Sequence, residues 1–107
     1  MKQTIQHIVR ILESAKKQYE EEGIRIIGIF GSYARGTEDR YSDIDIAYIV
    51  DHTVFDQKFK GGFAKLLRLE EIKSELQQYL HRKVDLVPFN GGNDRLVQRM
   101  KQEMVYV

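Results

Sequence analysis

At 107 residues the chain can hold one hydrophobic core and lacks the length for two, so a single domain over residues 1–107 is expected. Hydrophobic residues at 42% and charged residues at 31% exclude a disordered tail, and 17 basic against 16 acidic residues leave a formal net charge of +1, too little to draw in a nucleic-acid polymer. The absence of cysteine excludes disulfides and thiolate zinc sites. No run is apolar enough for a signal peptide or a membrane span, which points to the cytoplasm and away from membranes.

Ile5, Ile8, Val9, Leu12, Ala15 and Tyr19 recur at three- and four-residue steps, predicting an amphipathic helix over 4–22 that Gly23 stops. "IRIIGIF", residues 24–30, is β-branched and almost wholly apolar, as in a strand buried on both faces. Gly31 ends it, and Ser32 is expected to N-cap a single helical turn before Gly36. After the polar loop "TEDRYS", residues 43–50 alternate and then turn apolar, predicting a strand with Asp43 and Asp45 on one face and Ile44 and Ile46 on the other. The segment "DHTVFDQKFKGG" reads as an irregular connection or a lid. Phe63, Leu66, Leu67, Leu69, Ile72, Leu76, Tyr79 and Leu80 predict a second amphipathic helix, and residues 83–88 a third strand closed by the sole proline. Beyond a Gly91-Gly92-Asn93 turn, Leu96, Val97, Met100 and Met104 mark a C-terminal helix. The order predicts a small α/β domain, a mixed sheet of three to four strands with flanking helices.

Asp43, Asp45 and Asp85 are acids set in otherwise hydrophobic strands, and side by side those strands bring them together. Clustered carboxylates resist joint ionisation, which suits them to divalent cations. Oxygen donors without cysteine or a histidine partner point to Mg²⁺, with Mn²⁺ the alternative. Two such ions stabilise the attacking and leaving oxygens of an in-line displacement at phosphorus. Gly31 lets a phosphate approach the backbone, and Ser32 adds a hydroxyl at a helical turn whose free N–H groups face the anion. Alone, a Gly-Ser pair is a common turn and an Asp-x-Asp a common surface feature. Their combination, ten residues apart with a later strand aspartate, defines a metal-phosphate site.

"GSYARGTEDRYSDIDIAYIV" followed by "KVDLV" resembles the minimal nucleotidyltransferase family of the polymerase-β-like superfamily, whose hallmark is Gly-Ser, ten residues, Asp-x-Asp. The resemblance spans most of the chain. It implies that Gly31 and Ser32 hold the β and γ phosphates of ATP, that Asp43 and Asp45 bind two Mg²⁺ ions, and that Asp85 completes the catalytic metal site and favours deprotonation of the attacking hydroxyl. It further implies a partner, a HEPN-domain RNase toxin that receives AMP on a tyrosine hydroxyl, with this chain its antitoxin in a hetero-oligomer. Two other readings are an antitoxin that neutralises by binding alone and a nucleotidyltransferase acting on a small molecule such as an antibiotic.

Arg35 has two readings: a guanidinium on the phosphates, or a brace for the loop through Glu38 or Asp39. Arg40 reads as surface, and Lys58, Lys60 and Lys65 as solvated. His7, His52 and His81 share no ligand spacing. Phe55, Phe59 and Phe63 read as a helical core stripe rather than a base-stacking platform.

Overall fold

A computed structural model describes residues 4–89 and 94–107. Helix α1, Ile5–Glu21, starts where the Thr4 hydroxyl accepts from the His7 N–H at 3.2 Å, and it buries the predicted stripe of Ile8, Leu12, Ala15 and Tyr19. Strand β1, Ile24–Phe30, leads into the four-residue helix α2, Ser32–Arg35, and then to β2, Ile44–Val50. Helices α3, His52–Lys58, and α4, Gly62–Leu80, cross over to β3, Val84–Pro88. Helix α5, Arg95–Glu103, and the short β4, Val105–Tyr106, follow. Among the described residues no helix is long and apolar enough to cross a membrane.

The sheet runs β3-β2-β1-β4, with β1 antiparallel to β2 and β4, and β2 parallel to β3. It is mixed, as expected. The parallel pair requires a crossover, which α3 and α4 supply. One face packs Ile26, Ile29, Ile44, Ile46 and Val84 against α1 and α4 in the main core. Phe30 and Ala47 instead join Met100 of α5 in a smaller cluster. Alternation along β2 therefore buries Ile44 and Ile46 completely and leaves Asp45 half-buried, clear of the main core.

Several expectations need correction. The segment after β2 is not irregular: Asp51 accepts from the Thr53 N–H at 3.1 Å and its hydroxyl at 2.6 Å, capping α3, and Phe55 is buried. Phe59 stacks on Phe55 with centroids 5.0 Å apart, but Phe63 is 80% exposed, so the phenylalanines form no continuous core stripe. The buried face of α4 is Ile72, Leu76 and Leu80, while Leu66 and Leu67 face solvent. The N-cap of α2 is Gly31, not Ser32. α5 stops before Met104 because the chain turns back to pair Val105 with Ile29 and Tyr106 with Gly28, an unforeseen strand. A β-carbon on Gly28 would collide with the Val105 carbonyl oxygen, so the close approach of β4 depends on that glycine. The Gly91-Gly92-Asn93 turn lies outside the described residues.

Candidate active site

The site forms where the end of β1 meets the starts of β2 and β3. Phe30 pairs with Asp45 in the antiparallel register, and Asp45 pairs with Asp85 in the parallel one. Three adjacent strands thus set Phe30, Asp45 and Asp85 in one row, and Gly31, the next residue after β1, comes against the Asp45 carboxylate. Gly31 has φ +78°, in the left-handed region, and a β-carbon there would strike the Asp45 Oδ2. Both the turn and its contact with the carboxylate require glycine. Ser32 opens α2 as its first residue, half-buried. Asp43 directly precedes β2, half-buried, and Asp85 is exposed.

The loop leading to Asp43 is held from a distance. Arg82 donates from Nη2 to the Asp39 carbonyl at 2.6 Å and from Nε to the Ser42 carbonyl at 3.3 Å, and the Ile44 N–H donates to the Lys83 carbonyl at 2.9 Å. Beside Asp43 lies a cavity of about 300 Å³ lined also by Arg40, Tyr41, Arg82 and Lys83. Arg40 sits over the Tyr41 ring, 5.0 Å from its centroid, on the surface as expected.

Arg35 pairs with neither Glu38 nor Asp39. Its Nη1 donates to Glu103 Oε1 at 2.8 Å, and the other oxygen of that carboxylate accepts from the Gly31 N–H at 3.1 Å. Glu103 went unnoticed in the sequence. One signal was available, since an acid in the last turn of a helix opposes the helix dipole and so asks for another explanation. Burial pushes the Glu103 carboxyl up, but the Arg35 guanidinium and the Gly31 N–H outweigh it and hold the group below its usual range.

Asp45 behaves oppositely. Burial, then the charges of Asp85 and Asp43, push its carboxyl up to about 6, only partly countered by Arg35. A divalent cation would relieve that crowding. The donors are all oxygen, which suits Mg²⁺, an ion that takes one or two carboxylates and completes its shell from water and substrate phosphates. Among the described residues no group of three acidic or histidine side chains is placed to hold a metal ion by itself.

The chain belongs to the polymerase beta nucleotidyltransferase family, whose pattern, described as "Polymerase beta, Nucleotidyltransferase", matches residues 7–107. It is a nucleotidyltransferase enzyme. It is 35% identical over 105 residues to the protein adenylyltransferase MntA of Thermococcus cleftensis, covering 97% of this chain and 96% of that one. Among solved structures, a proposed minimal nucleotidyltransferase superposes with a TM-score of 0.70 at 22% identity, over 98% of this chain and 97% of the other. A toxin-antitoxin crystallised with AMP-PNP gives a TM-score of 0.57 at 26% identity, over 92% of this chain and 68% of the other.

Proposed function

We propose that this chain is a Mg²⁺-dependent protein adenylyltransferase that moves AMP from ATP to a tyrosine hydroxyl of a HEPN-domain RNase toxin, silencing it as its antitoxin. The observation that carries the reading is that Asp45 pairs with Asp85 across the sheet and has Gly31 against its carboxylate, which supports one locus for phosphate and carboxylates. The adenylyltransferase name of the Thermococcus relative and the AMP-PNP in the toxin-antitoxin structure support the nucleotide and the partner.

In this reading the Gly31-Ser32 turn holds the β and γ phosphates, with Arg35 adding charge. Asp43 and Asp45 would hold two Mg²⁺ ions, and Asp85 would complete the catalytic position. The bound ions would neutralise the triphosphate and the charge that develops at phosphorus. The tyrosine oxygen attacks the α phosphorus and gives up its proton, a loss that Asp85 favours. As the new P–O bond forms, the α–β bridging bond breaks and pyrophosphate leaves with its electron pair. The acceptor needs its own docking surface, and Phe63, Leu66 and Leu67, exposed on one side of α4, suit a protein partner in a hetero-oligomer. The reading places the enzyme in the cytoplasm, away from nucleic acid and membranes.

The test is incubation with Mg²⁺, α-phosphate-labelled ATP and a lysate of the source cells, beside an Asp43→Asn/Asp45→Asn variant. One labelled protein band that disappears with the variant and with chelator is the expected result. A partner present in the lysate, neutralised but unlabelled, would instead establish an antitoxin acting by binding, and label on a small molecule would establish the antibiotic-type activity.

A further inference from the structure

Resting on the reading of Gly31-Ser32 as the phosphate turn, we propose that Glu103 is a positioning residue of the nucleotide site: it fixes the turn and holds Arg35 toward the phosphates, off the Asp45 carboxylate. Its two oxygens are divided between the two elements, Oε2 on the Gly31 N–H at 3.1 Å and Oε1 on Arg35 Nη1 at 2.8 Å. A single side chain thereby ties the end of α5 to a turn 72 residues away in sequence.

The tie is rigid because its own backbone is anchored on both sides. Met100, three residues earlier, is 1% exposed against the sheet, and Val105, two residues later, pairs with Ile29 of β1. Arg35, in contrast, ends a helix of only four residues and its side chain is 47% exposed. Nothing in α2 itself restrains it. Arg35 also lies close enough to Asp45 for the two charges to interact, so an untethered guanidinium would move onto that carboxylate and compete with a cation. Glu103 prevents this while using a single donor atom. The remaining guanidinium N–H groups stay free to point at an anion, and the free N–H groups of the Ser32 turn are untouched by the tie.

The experiment measures the dissociation constant of ATP in Mg²⁺ by calorimetry, with thermal melting alongside, for the wild type, Glu103→Ala, Glu103→Gln, Arg35→Ala and the double variant Glu103→Ala/Arg35→Ala. Loss of one charge-assisted hydrogen bond's worth of organisation predicts about tenfold weaker binding for Glu103→Ala. Glu103→Gln, which keeps one acceptor oxygen, should recover part of the loss. In the Arg35→Ala background the alanine at 103 should add less than about threefold, because the arginine it positioned is gone. A purely structural Glu103 would lower the melting temperature and weaken binding equally in both backgrounds, overturning the proposal. Unchanged or tighter binding by Glu103→Ala and Glu103→Gln would overturn it too, the latter by making Glu103 a competitor of the phosphates. A wild type that binds no ATP at any magnesium concentration would sink the underlying phosphate-turn reading, a result distinct from the other two.

Discussion

Replacing Asp45 by asparagine should stabilise the metal-free protein while destroying its activity. The carboxyl is pushed from 3.8 to about 6 by burial and by Asp85 and Asp43, so its ionised form is penalised in the fold. Carried in full, that displacement amounts to about 3 kcal/mol. Solvent still reaches this half-buried group, and screening reduces the figure to about 1 kcal/mol. The sign follows from proton counting. Between the unfolded and folded values the native state holds a proton that the unfolded chain has lost, so stability falls as pH rises through that window. The penalty is complete above about pH 6 and absent below 3.8. Thermal melts in chelator should therefore place Asp45→Asn roughly 4 to 8 °C above the wild type at neutral pH, the gap closing toward pH 4. Added Mg²⁺ should raise the wild type and leave the variant unmoved. A variant that melts at or below the wild type at neutral pH, or a gap unchanged at pH 4, would refute the electrostatic account of this carboxylate.

Gly31→Ala forces a β-carbon onto Asp45 Oδ2 at a positive φ, and should cost about 1 to 3 kcal/mol in urea unfolding and abolish labelling of the acceptor. Asp51→Ala removes the cap of α3, at the opposite end of β2 from the site; it should lose about 1 kcal/mol yet transfer AMP at the wild-type rate. Arg68 reaches Glu22 at 2.6 Å and Glu75 at 3.0 Å, joining α1 to α4, and its side chain is 13% exposed. Arg68→Ala leaves Glu22 without its partner while Glu75 keeps the Tyr19 hydroxyl at 2.9 Å, and should cost about 2 kcal/mol, measurable as a lower denaturation midpoint, whereas Arg68→Lys should lose less.

Strands β1, β2 and β3 were legible because each is a short, largely β-branched run, and the Asp-x-Asp was legible because period two separates its acids from Ile44 and Ile46. Helix α3 was hidden: its seven residues bury Phe55 alone, too few positions to establish a period, although the Asp51 cap was there to be read. β4 is two residues long and exists through its contact with β1, a tertiary event that "VYV" does not announce. Periodicity also misplaced part of α4, since Phe63, Leu66 and Leu67 keep helical spacing with nothing packed over them. Of the two readings of Arg35, the loop brace looked to Glu38 or Asp39, where the fold supplies Glu103. Pairings across most of a chain leave no trace in local sequence.

The parallel pairing of Asp45 with Asp85, and the reach of Glu103 to Gly31, impose an order on synthesis. A ribosome delivers the Gly31-Ser32 turn and the first two aspartates early, but the third acid comes after the long crossover and Glu103 later still. A nascent chain or a prematurely terminated fragment therefore holds Gly31, Asp43 and Asp45 without Asp85 or the Glu103 tie. The acids and the tie behind them are assembled only once helix α5 has been made.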